Sequence, residues 1–248
     1  MKTAAGVAAI FRREIASYFL SPVAYVVIGL FVLVNGWIFY YKALQYQGDP
    51  QQITAIVGAM FGLGPFWTLL LAPILTMRLI AEEKRTGTLE TLMTAPVTSF
   101  QVAAGKYLAA NVFFLLIWST LLLHVLILSI LGNPDFGPII AIYVGLAGLG
   151  LLMNGVGLLA SAMTRNQIIA VILAVVGNLL LLSFGMLRRL FPDEAGADRL
   201  FDFLGLHNHF VDEYNRGIID LRFLALDILG AALFFGLAVR ALEARRWR

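Results

Sequence analysis

Residues 78–96 read RLIAEEKRTGTLETLMTAP, and this stretch decides how the rest of the chain must be arranged. Arg78, Glu82, Glu83, Lys84, Arg85 and Glu90 place six ionisable side chains within thirteen residues, between two long apolar runs. A charge at mid-bilayer costs at least about 2.5 kcal/mol, so the stretch is expected outside hydrocarbon, as an aqueous segment. Gly87 interrupts the helix that carries the first charges. Thr88 can cap a second short helix with Glu90 in its first turn, where a carboxylate suits the helix dipole, and Pro96 marks its stop. Leu89, Leu92 and Met93 then share one face of that helix, a face that water alone does not reward. Its two candidate partners are the membrane surface and another protein.

Working outward, the flanking runs are too apolar for a soluble domain. Of 248 residues 60% are hydrophobic and only 13% charged, against about 25% charged in soluble proteins. With a mean hydropathy of +0.85, the chain is expected to be an all-α polytopic membrane protein with six transmembrane helices. The apolar pattern places them at about residues 22–41, 53–77, 107–131, 138–164, 168–187 and 223–239. Trp37, Tyr40 and Tyr41 mark the far interface of the first. Gly58 and Gly62 form a GxxxG pair in the second, and Pro65 and Pro73 predict that it bends. Gly145, Gly148, Gly150, Gly155 and Gly157 predict close helix contact along the fourth. The first apolar run lacks a small-residue cleavage site and reads as a retained span. The sequence has no cysteine, which excludes a disulfide framework and thiolate metal sites.

Three polar segments complete the layout, which forms one transmembrane domain over residues 1–248. Residues 1–21 form an amphipathic interfacial helix, with Val7, Ile10, Phe11, Ile15, Tyr18 and Phe19 at helical spacing and Arg12, Arg13 and Glu14 grouped together. Residues 78–96 form the charged inner segment. Residues 188–222 carry five Arg and seven acidic residues with scattered apolar anchors, and read as short helices on the outer surface. With both termini inside, twelve Lys or Arg fall on the inner side and six on the outer. That bias sets both termini in the cytoplasm. The basic pI of about 9.3 follows from charge flanking the spans, so nucleic acid is not an expected partner.

The string Ala81-Glu82-Glu83-Lys84-Arg85-Thr86-Gly87-Thr88-Leu89-Glu90, followed by Leu92 and Pro96, resembles the signature of ABC-2 type transporter permeases. Nearest are the gliding-motility-type permeases and the copper-maturation permeases of nitrous oxide reductase. The resemblance implies that the segment after the second span is a cytoplasmic coupling helix resting on a separate ATPase subunit. Glu82, Glu83, Lys84, Arg85, Gly87, Thr88, Leu89, Glu90, Leu92 and Met93 would then serve ATPase coupling. By the same resemblance Arg12, Arg13 and Glu14 sit on a connecting helix that also approaches the ATPase, and residues 188–222 form a partly re-entrant gate beside the exit. It further implies a bacterial inner-membrane exporter working with a second copy of itself or a related permease. ATP and Mg would be bound by the partner ATPase, with membrane lipids around the chain and an accessory periplasmic-facing subunit as a further candidate partner.

The chain has no nucleotide-hydrolysing loop of its own. Gly105-Lys106 is its only Gly-Lys pair, with Phe100 where GxxxxGK needs its first Gly and Tyr107 where it needs Ser or Thr. No Ser-His-Asp, HExxH or GxSxG arrangement is present, so no enzyme activity and no catalytic residues are expected. Glu82 and Glu83 point about 100° apart on a helix and make a poor acid/base pair; Glu82 is better matched to Arg78 at i,i+4. His207 and His209 have no fixed third ligand, so no metal site is assigned. Together with His124 and Asp227 they are candidates for the pathway or gate. Asp227 is also expected to find a structural partner such as Arg222. The alternative to a permease is a membrane scaffold that recruits a cytosolic partner through the same coupling helix and transports nothing.

Overall fold

The computed structural model describes residues 2–45, 50–88, 97–132, 134–187 and 203–244. Among them every regular element is helical. In chain order they are α1 (Lys2–Phe19), α2 (Pro22–Ala43), α3 (Pro50–Phe61), α4 (Gly64–Thr76), α5 (Ala81–Thr86) and α6 (Ser99–Ser119). There follow α7 (Leu122–Leu131), α8 (Phe136–Met163), α9 (Gln167–Leu187), α10 (Leu206–Asp212), a 3-10 turn at Tyr214–Arg216 and α11 (Leu221–Glu243). Six helical stretches among the described residues are long and apolar enough to cross a membrane. The chain is a multi-pass membrane protein.

The spans differ from the sequence expectation at their ends for physical reasons. The second is broken at Gly62-Leu63, ahead of Pro65, which sits in the first turn of α4 where its missing N–H costs nothing. The third begins at Ser99, eight residues before the expected Tyr107. A reciprocal capping box starts it: the Thr98 hydroxyl accepts from Gln101 N–H, and the Gln101 side chain accepts from Thr98 N–H. The same span steps at Thr120-Leu121 between α6 and α7. The sixth runs to Glu243, beyond the expected Val239.

α8 is the axis of the bundle and packs against α11, α9, α4 and α6. Its glycines chiefly seat side chains: a Cβ on Gly150 would lie 2.5 Å from the Phe114 ring, and one on Gly157 would overlap the Thr76 hydroxyl. Gly58 of α3 and Gly62 just after it likewise face the Asn215 side chain. An aromatic knot closes the interior, with Phe31 edge-on to both Trp67 and Trp118 at 5.0 and 5.1 Å. Through Phe31, α2 is anchored, while Val26, Leu30, Leu33 and Trp37 stay exposed; Ile168, Ile172 and Val176 do the same on α9. Those faces are apolar and suit lipid or another spanning helix.

Overpacking the seat on Thr76 tests this arrangement. Gly157→Val is expected to lower the midpoint of thermal unfolding in detergent, consistent with a cost of about 1–3 kcal/mol. Gly236→Ala, where a Cβ meets nothing within 4 Å, is expected to leave the midpoint unchanged.

Candidate functional site

At the end of the bundle that carries α1 and α5, four charged side chains meet. Lys106, in the second turn of α6, is only 2% exposed. Its Nζ lies 2.8 Å from Glu14 Oε2 and 3.0 Å from Glu83 Oε1. Arg13 reaches the same Glu83 oxygen at 2.9 Å. Two acids and two bases from α1, α5 and α6 thus form one neutral set, and each buried charge has an opposite neighbour. Gly105 makes the approach possible: a Cβ there would come within 2.8 Å of Ile10, so α1 lies almost directly on the α6 backbone.

α5 is fixed from its other side by α8. Its own residues supply no N-cap. Instead Ser161 Oγ accepts from the Ile80 and Ala81 amides, each at 3.0 Å, and donates to the Met77 carbonyl at 3.0 Å. Lys84 Nζ donates to the Ala162 carbonyl. Gly87 then ends the helix in the left-handed conformation, φ 74°, and the Thr88 hydroxyl donates back to the Glu83 carbonyl.

Tyr18 ties α1 to the second span. Its O–H donates to the Leu75 carbonyl at 2.6 Å and its ring stacks on Phe113 at 4.7 Å. Burial, then the neighbouring Glu14, pushes its phenol above the ordinary value, while Arg78 acts the other way. Tyr18 therefore stays a donor. The Arg78 guanidinium lies over this ring at 4.9 Å and donates to Ser21 Oγ at 2.9 Å.

These contacts correct several expectations. The segment from Arg78 is not simply aqueous: Glu83 and Lys84 are buried because ion pairing and a carbonyl satisfy them. Arg78 turns to Ser21 and Tyr18, and is not the partner of Glu82; both line a cavity of about 140 Å³ beside Tyr18. Arg12 and Arg85 are exposed. Leu89, Glu90, Leu92 and Met93 lie outside the described residues, as do 188–202 of the expected outer segment.

The four residues expected at a gate do not form one site. His124 packs edge-on to Phe39, 4.9 Å between centroids, joining α7 to α2. His207 is exposed, whereas His209 is buried and stacked on Phe223 at 3.4 Å. Only His209 and Asp227 come together, lining one small cavity at the opposite end of the bundle. The expected Asp227–Arg222 pair is absent because Arg222 is drawn to Asp220, Nε to Oδ2 2.9 Å. That contact holds the Asp220 carboxyl below its usual value. Among the described residues no group of three or more His, Asp or Glu is placed to hold a metal ion.

Lys106, Glu14 as its partner, Ser161 and Tyr18 were not singled out from sequence as the ties of this site. A lysine seven residues into an otherwise apolar helix, directly after a glycine, was the available signal.

A six-span helical bundle whose one end gathers a charged elbow, a surface-type helix and the start of the third span is the arrangement of a multi-pass membrane protein. Residues 20–180 match the family described as ABC-2 family transporter protein, more than half of the chain. The chain belongs to that family. A search of curated protein sequences finds no match to it.

The buried lysine gives a direct test of the ion network. Lys106→Met strands the Glu14 carboxylate and leaves Glu83 with Arg13 alone, and is expected to destabilise the protein by about 3–5 kcal/mol, read as a lowered unfolding midpoint and faster proteolysis of α1. Adding Glu14→Gln to the same chain is expected to recover part of the loss.

Proposed function

We propose that this chain is the membrane subunit of an ABC exporter, and that the Arg13–Glu83–Lys106–Glu14 network is the linkage through which a separate ATPase drives it. The observation that carries the reading is Lys106: it binds carboxylates from α1 and α5 at once. A force applied to the segment after α5 is thereby delivered to α1 and to the base of the third span together. Residues 89–95 would make the contact with the ATPase, which supplies ATP and Mg. This end of the bundle would face the cytoplasm of a bacterial cell, with both termini, in keeping with the charge bias of the sequence.

Rings pack around Trp118 in the core of the single chain. That packing supports a translocation path between two copies, or between this chain and a related permease, with the exposed apolar faces of α2 and α9 available for the contact. The kinship with gliding-motility and copper-maturation permeases rests on the 81–96 motif.

The test uses the native absence of cysteine. In cells, Arg85→Cys is expected to resist a membrane-impermeant maleimide added outside and to react after permeabilisation; labelling of intact cells would reverse the orientation. A co-purifying ATPase whose hydrolysis responds to substrate is expected to lose that response in Leu89→Asp. An unaltered response would favour a scaffold that transports nothing.

A further inference from the structure

At the end of the bundle opposite α5, Gly145 and Gly148 lie one turn apart on the same face of α8. A Cβ on Gly145 would come within 2.6 Å of the Tyr214 ring, and one on Gly148 within 2.8 Å of Asp227 Oδ2. The bare stripe thus receives one polar side chain from the 3-10 turn and one from α11. Both are sealed from solvent, Tyr214 at 2% exposure and Asp227 at 4%. Yet the Tyr214 hydroxyl and Asp227 Oδ1 each lack a hydrogen-bond partner among the described residues, which buried polar atoms rarely tolerate. They do not bond each other directly.

Both side chains line the same small cavity, with His209, Phe210 and Phe223 also in its wall. Its volume of about 10 Å³ is close to that of a single water-sized probe, about 10–15 Å³. Among the described residues no guanidinium competes for the carboxylate: Arg222 is held by Asp220 and Arg216 by Asp212. Burial, with Asp227, Glu213 and Asp220 nearby, pushes the Tyr214 phenol up, so it is a hydrogen-bond donor.

We propose that this cavity is a binding site for one water molecule, which accepts from the Tyr214 hydroxyl and donates to Asp227 Oδ1. The bridge fastens the 3-10 turn and α10 to the last span without a direct side-chain bond. A metal cation fits the site poorly, because hard cations collect six or more oxygens and the remaining walls offer carbon from Leu149, Leu206, Phe210 and Phe223 and, as the one further polar side chain, the His209 ring. The assignment stands whether or not the chain is an exporter, since it rests on packing at this end alone.

X-ray hydroxyl-radical footprinting of the full chain in lipid nanodiscs reads bound water beside a buried side chain. Tyr214 is expected to be oxidised at a rate within several-fold of exposed Tyr41 at the end of the first span, despite its burial. Asp227→Asn, which keeps an acceptor oxygen, is expected to retain that rate. Asp227→Leu, and separately Gly148→Ala should the first variant fail to fold, are expected to lose most of it. Inert Tyr214 in the wild-type chain, or an unchanged rate in the folded Leu or Ala variant, overturns the proposal. So does a Tyr214 rate that changes when sodium is replaced by choline, which would assign the cavity to a cation.

Discussion

The constraint on which this molecule turns is the burial of Lys106 between two carboxylates at the end of a membrane bundle. A buried ion pair contributes little net stability compared with apolar packing, since desolvation offsets its attraction, but removing one member leaves a stranded charge. Such a set fixes geometry. Glu14 comes from α1 and Glu83 from α5, so Lys106 has both charges matched only when the two helices meet α6 in one arrangement. Ser161 and the Ala162 carbonyl hold α5 from the α8 side, and Tyr18 holds α1 to the Leu75 carbonyl. The charged elbow and α1 are thereby bound to the ends of the second, third and fourth spans.

The same chemistry explains why charged residues can begin within apolar stretches. Lys106 stands inside the third span, and Glu83 and Lys84 extend the helical run of the second to Thr86. Each is tolerated because the polar groups around it replace water. Away from this end the bundle relies on shape: glycines of α8 seat Phe114, Thr76, Tyr214 and Asp227, so rings and polar groups reach a helix that would otherwise keep them distant. The two ends are built differently. One is locked by ion pairs and backbone caps, and the other rests on stacked rings and a small polar pocket.

Much of the fold was legible from residue pattern. Six apolar runs, the break near Pro65 and the end of α5 at Gly87 follow from hydropathy and local backbone preference. The third span starts eight residues before the expected Tyr107 because Lys106 lies inside it, and one sequence position does not reveal that Glu14 and Glu83 wait in space. Arg13, Glu14 and Glu83 were recognised as functional candidates, but as separate features. Their convergence depends on Gly105, whose missing side chain admits α1. The Asp227–Arg222 expectation failed for a local reason: Asp220, two residues from Arg222, also caps α11 and captures the guanidinium first.

Distance measurement between spin labels at Arg12→Cys and Thr86→Cys tests the linkage most directly, because both native positions are exposed and the chain has no other cysteine. If α1 and α5 are held by Lys106 as one body, the distance distribution stays the same in the assembled complex with and without ATP, and broadens in Lys106→Met. A shift of several ångströms on adding ATP to the native network would mean that α5 slides past α1, and the linkage would not exist.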